Sequence, residues 1–281
     1  MSWLLLIIIN VVVISVASLY QKIAMREEKS DAVVSATTFM IVSGICYFIY
    51  ALIKGFHIPS ITLLPFFIIT ATLYAAGTIL FFHAIKKIEA SEMSIIGGVG
   101  PIVTIVASMI FLKDILTVTQ LSGVVCILAA VFLINYKKNG FVINQGTWLA
   151  LLGTACYGLG VISDTVIIHR FEVASFIPIG AAGSAFIMML AYPKKITFVF
   201  QSLMKVNKDL LVYSLLYAIG GITFYLAIDA GALVGQVSTI ARASIILTVI
   251  LSTIFLGERT NLIKKLVGAV LTTIGVILVS Q

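Results

Sequence analysis

The sequence is short of charge. Only 10% of its 281 residues are Asp, Glu, Lys or Arg, while 61% are hydrophobic. A soluble domain carries about a quarter charged residues, so this chain lacks the polar groups to cover itself in water. The shortage excludes a soluble globular protein and a disordered one. Cysteine is scarce as well: Cys46, Cys126 and Cys156 lie inside apolar runs, with no CxxC spacing. A disulfide scaffold and a cysteine metal centre are therefore excluded, and the three read as core residues. Histidine is limited to the scattered His57, His83 and His169. There is no HExxH, no GxSxG and no pair of carboxylates within one helical turn at membrane depth, so the chain does not read as an enzyme. No Walker A pattern is present, and no metal or cofactor is called for. The net charge of +7 is not carried by basic stretches interleaved with aromatics, which argues against a nucleic-acid partner.

What is present is apolar sequence in long runs, with a mean hydropathy of +1.18. Ten runs fall at about 3–21, 33–53, 63–85, 91–112, 118–136, 147–168, 174–192, 210–228, 232–256 and 263–280. Each approaches the 20 or so residues that a helix needs to cross a bilayer. Unbroken runs exclude a transmembrane β-barrel, whose strands alternate. The expected fold is an all-α polytopic membrane protein with ten transmembrane helices. The first run lacks a basic stretch before it and a clean A-x-A site after it, so it reads as a permanent helix, not a cleaved signal. The loops between runs are short, with 193–209 the longest.

The chain also repeats itself. Trp3 to Glu27 aligns without gaps on Trp148 to Glu172, and LYAAGTILFFHAI (73–85) aligns on LYAIGGITFYLAI (216–228). IFLKD (110–114) meets IFLGE (254–258), and Gly123 meets Gly268. The offset drifts only between 143 and 145. Two five-helix repeats follow, 1–140 and 141–281. Because five is odd, the halves are expected to be inverted in the membrane. Such repeats support alternating access around a site at the midplane. Of the 18 Lys and Arg residues, fourteen fall in loops on one side, three on the other, and Arg242 lies inside a run. The positive-inside rule makes the fourteen-charge side cytoplasmic and puts both termini outside a cell (inner or plasma) membrane.

The segment KKIEAS (86–91), Pro101, the IFLKD and IFLGE helix ends and the glycines 123 and 268 together resemble the drug/metabolite transporter superfamily, and within it the ten-helix EamA family. The resemblance covers the whole chain. It implies a secondary transporter, often an exporter of amino acids or related small metabolites, although relatives also move choline, thiamine-like compounds and nucleotide sugars. Two features depart from the pattern. Lys113–Asp114 stands where Gly–Glu is preferred, and Pro101 has no repeat partner because Ile245 takes that place. The four-helix multidrug relatives carry an acid in their first helix, whereas this chain has Asn10. That argues against their proton/cation antiport.

The candidate site follows from intramembrane polar groups. Arg242, about ten residues into the ninth run, is the sharpest, since an Arg at a helix centre costs roughly 2.5–3.5 kcal/mol on insertion scales. The acids Glu92, Asp164 and Asp229 all map near run ends, so none is an evident counter-ion. Tyr74, Thr78 and Phe81 share one helix face, and the repeat adds Tyr217 and Phe224 opposite them. Asn10, His83 and Gln236 complete the substrate-binding candidates; Glu92 and Asp164 are the coupling candidates. The bland alternatives are packing for the aromatics, Asn10 and His83, and interfacial caps for Glu92 and Gln236. In 97–101, GGVGP removes side chains and one backbone donor. Gly268, Thr272 and Gly275 form a small-residue face suited to close helix contact or to a homodimer through the fifth and tenth helices, the alternative being a monomer. The expected function is a secondary exporter or exchanger of a small polar metabolite bearing a carboxylate, such as an amino acid. The rivals are a transporter of a cationic or drug-like compound and a membrane-embedded subunit that transports nothing.

Overall fold

The computed structural model describes residues 2–26, 30–111, 117–137, 140–141, 144–205, 207–232, 237, 240 and 241–279. It is an all-α polytopic membrane protein. The helices are α1 (Trp3–Ala24), α2 (Ala32–Lys54), α3 (Leu64–Ile85), α4 (Ala90–Gly97), α5 (Gly100–Phe111), α6 (Val118–Asn135), α7 (Gln145–Ile168), α8 (Val173–Ala191), α9 (Ile196–Met204), α10 (Lys208–Asp229), α11 (Ala243–Phe255) and α12 (Leu262–Val279). Among the described residues, eight helices are long and apolar enough to cross a membrane. A two-residue strand pair, β1 (Tyr136–Lys137) and β2 (Gly140–Phe141), lies between α6 and α7.

Helix ends follow local chemistry. The Asp31 carboxylate accepts from the amides of Val33 (2.9 Å) and Val34 (3.1 Å) and so caps α2. Asn144 accepts from Thr147 N at 2.8 Å to cap α7, and Thr117 and Gln120 form a capping box on α6. These bonds satisfy amides that the first turn leaves open. Gly55, Gly231 and Gly257 take positive φ just beyond α2, α10 and α11, where the backbone must turn out of the helix.

The runs appear where expected, with three differences. The fourth run is two helices, because the GGVGP stretch interrupts the hydrogen-bond ladder between Gly97 and Gly100. The ninth run breaks at Arg242, the residue before α11. The long loop holds α9, whose Val199 is buried while Phe198, Phe200 and Met204 are exposed. One apolar face packs inward and the other faces out, as on a helix at a membrane surface.

Packing between helices has a paired pattern. α3 lies on α7 and α1 on α10; α2 meets α10 as α3 meets α8; α1 meets α11 as α5 meets α7. α2 pairs with α8 and α6 with α12. Exchanging corresponding helices of the two halves leaves this pattern unchanged. α6 and α12 sit close together because glycines face each other: a Cβ on Gly123 would stand 2.5 Å from the Gly275 carbonyl oxygen. A Cβ on Gly98 would meet the Thr272 methyl. The small-residue face of the last helix is thus taken up within the chain. On α6, Leu121, Val125, Leu128 and Phe132 recur on one exposed stripe, where lipid would lie.

Candidate functional site

The site begins where the ninth run breaks. Arg242 is the last residue before α11, and its carbonyl accepts the amide of Ile245 at 3.0 Å. The sequence suggests an arginine inside a continuous helix; the structure puts it at an interruption. Its Nε is buried and without a hydrogen-bond partner, and among the described residues no ion pair includes it. The side chain lines a cavity of about 440 Å3 between α1, α2, α3, α7, α8, α10 and the start of α11. That volume lies in the range of small-molecule sites.

Asp164 lines the same cavity. The sequence places it near a helix end with no relation to Arg242, but the cavity reaches toward that end of α7 and holds both groups. No ion pair joins them. The Asp164 carboxylate is instead held by α3: Thr70 Oγ1 donates to one oxygen at 3.0 Å, and the Tyr74 hydroxyl donates to the other. Tyr74 reaches it because Gly160 leaves room; a Cβ there would stand 2.6 Å from the Tyr74 ring. The network continues inward. Thr78 Oγ1 hydrogen-bonds the Tyr157 hydroxyl at 2.6 Å, and the Tyr157 ring stacks on Phe81 at 5.0 Å.

The remaining candidates separate. Asn10, Tyr74, Tyr217 and Phe224 line the cavity with Arg242 and Asp164. Asn10 Nδ2 donates to the Gly220 carbonyl at 2.7 Å, tying α1 to α10. Tyr217 lies well inside α10 yet is 37% exposed, so its free surface faces the cavity. Thr78 and Phe81 line a smaller adjoining space of about 220 Å3, together with Tyr217. His83 and Glu92 line neither space. Gln236 lies outside the described residues.

Sequence reasoning missed Tyr157, Tyr47 and Tyr225, which also line the cavity. A signal for the first existed: Tyr157, Gly160 and Asp164 are spaced i, i+3 and i+7 and so share one face of α7. The repeat directed attention elsewhere, because Tyr157 falls opposite Val12.

Another depression, about 580 Å3, lies elsewhere, between α2 and α9, lined by Asp31, Lys195, Lys205 and Phe198. It sits among the basic loops, away from the polar groups at membrane depth. There Lys195 pairs with Asp31 at 2.6 Å. Burial pushes the Asp31 carboxyl up, but Lys195 and the amides of Val34 and Val33 outweigh it and hold the group below its ordinary value.

Comparison with known proteins fits this arrangement. The model of the EamA-like transporter family matches residues 1–136 and again residues 144–281. An uncharacterized protein of Methanocaldococcus jannaschii is 31% identical over 94 residues, 34% of this chain and 69% of that protein. The uncharacterized transporter YvbV of Bacillus subtilis is 33% identical over 103 residues, 37% of this chain and 33% of that one. A solved crystal structure superposes with a TM-score of 0.62 at 16% identity, covering 98% of this chain and 94% of the other; that likeness concerns the fold alone. With the family model matched along both halves, the chain belongs to the EamA-like transporter family, a family of membrane transporters of small molecules.

Proposed function

We propose that the protein is a secondary exporter or exchanger of a small polar metabolite bearing a carboxylate, with an amino acid as the best-fitting class. The observation that carries this is Arg242: its Nε is buried without a hydrogen-bond partner, no ion pair among the described residues includes it, and it stands at a helix break lining a cavity of about 440 Å3. A guanidinium stays charged and matches a carboxylate with two parallel hydrogen bonds. Asp164 offers the opposite pole of the same cavity. An amino acid presents a carboxylate to Arg242 and an ammonium to Asp164, and the tyrosines 74 and 217 form walls. Asp164 is also the coupling candidate, since occupation of this carboxylate by an ammonium or a proton changes the charge of the cavity.

The halves 1–140 and 141–281 act as inverted repeats that rock about this cavity. The lysine and arginine distribution sets both termini outside a cell (inner or plasma) membrane. A cationic substrate is the second reading, favoured by Asp164 together with the tyrosine rings around it. Arg242 in the same cavity opposes it by like-charge repulsion. The deciding experiment is uptake into vesicles reconstituted with the purified protein, screened over amino acids, organic acids and amines. Transport of acids and zwitterions that is lost in Arg242→Ala supports the reading; transport of amines alone refutes it.

A further inference from the structure

Two chambers, not one, lie along the axis of the helices. The outer holds Arg242 and Asp164 in about 440 Å3, and the inner encloses about 220 Å3. They follow one another on the same helices. On α1, Asn10 and Ile14 face the outer chamber, while Ser18 and Gln21 face the inner. On α3 the order is Tyr74, then Thr78; on α10 it is Gly221, then Tyr213. Three residues line both chambers: Phe39, Tyr157 and Tyr217. They form a partition one ring thick. The Phe39 ring stands edge-on to Tyr217 at 5.1 Å and is stacked on Tyr213 at 4.7 Å.

At the far end of the inner chamber, polar bonds join the helix ends. Lys22, one residue beyond Gln21, donates to the carbonyls of Ile85 (2.6 Å) and Ile88 (2.5 Å). The buried Glu258 accepts from the amides of Ala90 (2.8 Å) and Ser91 (3.1 Å), and Lys265 pairs with Glu89. These bonds tie α1, α3, α4 and the segment before α12 together. The partition has no such ties. Phe39 meets Tyr217 by ring contact, Tyr157 packs on Phe81 and Tyr74 with one hydroxyl bond to Thr78, and ring rotation needs no break in the backbone ladder.

We propose that Phe39, Tyr157 and Tyr217 are a gate on the transport path, and that the inner chamber is a second substrate station behind it. The inner lining is uncharged, with Ser18, Gln21, Thr78 and Ser94 among its polar side chains. A substrate that enters carries its own charge compensation, as a zwitterion does. This rests on the outer chamber being the substrate site, so its test measures the barrier without any substrate.

Single cysteines are introduced at Ser244, which lines the outer chamber, and at Ser94, which lines the inner. The background has Cys46, Cys126 and Cys156 replaced. Vesicles of both orientations are treated with a membrane-impermeant charged methanethiosulfonate. S244C is expected to react from one side and S94C to be protected from that side. Tyr217→Ala should abolish the protection, with S94C then reacting as fast as S244C; Phe39→Leu should do so in part. In transport assays the same variants should lose accumulation. S94C reacting as fast as S244C behind the intact partition overturns the proposal. So does undiminished protection of S94C in folded Tyr217→Ala and Phe39→Leu proteins. If neither variant folds, the labelling with the partition intact still decides.

Discussion

Replacing Arg242 separates a ligand-binding arginine from a structural one. The structure gives its guanidinium a buried Nε with no partner and no ion pair among the described residues. A structural arginine would be repaid by its bonds, so its loss would lower stability. Here there is little to lose: on insertion scales the charge at membrane depth costs roughly 2.5–3.5 kcal/mol. Arg242→Met should therefore leave the thermal midpoint of the detergent-solubilised protein at or above that of the parent. Function should move the other way. Hydrogen bonds to charged groups contribute about 1.5–3 kcal/mol, so Arg242→Lys, which keeps the charge but loses the fork, should weaken substrate binding roughly 10- to 100-fold. Arg242→Ala should abolish transport. Binding is read by scintillation proximity or calorimetry, transport by vesicle uptake, and folding by gel filtration. An Ala variant that transports normally refutes the reasoning. A Met variant that melts well below the parent shows that the arginine is structural.

Asp164→Asn should remove transport of zwitterions while the protein stays folded, and Tyr74→Phe, which deletes one donor to that carboxylate, should raise KM by a few-fold; unchanged uptake in both variants would remove Asp164 from the site. Gly123→Ala forces a methyl to within 2.5 Å of the Gly275 carbonyl oxygen and should destabilise the α6–α12 contact by about 1–3 kcal/mol, seen as a lower thermal midpoint. Alkaline phosphatase fused after Gln281 should be active and a fluorescent protein fused there dark; the reverse pattern overturns the outward termini. At the other interface, hydrogen bonds from Ser175 and His57 hold the Glu172 carboxyl below its ordinary value. A depressed carboxyl stabilises the fold above its unfolded pKa, and the effect is lost as pH falls through the folded value. Glu172→Gln should therefore flatten the loss of thermal stability as pH falls below the ordinary carboxylate range.

The apolar runs made most of the fold legible, because bilayer thickness fixes how long each run must be. Interruptions were harder to read. Gly97 to Pro101 announces its break through missing side chains and a missing donor, whereas Arg242 sits between two alanines, all good helix formers. The repeat holds the clue, since an offset of 144 puts Arg242 opposite Gly98, inside the first half's own interruption. Paired breaks at matching positions point to a transporter's binding site. α9 escaped because its segment was read by its flanking lysines, not by the apolar face that buries Val199. Asp164 is legible as a coupling candidate but not as a partner of the Arg242 cavity, because depth along one helix does not reveal that α3 brings Thr70 and Tyr74 to meet it.

The repeat also explains why the cavity has a direction. Identical halves around a twofold axis would build a symmetric cavity, and a substrate with distinct ends would bind equally well in two opposed poses. This chain departs from symmetry where the cavity lies. Thr70 and Tyr74, the donors to Asp164, fall opposite Tyr213 and Tyr217, which pack as rings against Phe39. Asp164 falls opposite Leu19, which is buried. Arg242 falls opposite Gly98, which lies against Thr272 with no room for a side chain. One pole of each sign thus stands where its symmetry mate is apolar or absent. A zwitterion then has one favourable orientation, because reversal sets like charges against each other. Exchanging the poles tests this. A double variant with Arg242→Asp and Asp164→Arg should lose transport even though the cavity keeps its net charge. If the swapped protein folds and transports as well as the parent, fixed orientation is not how the site works.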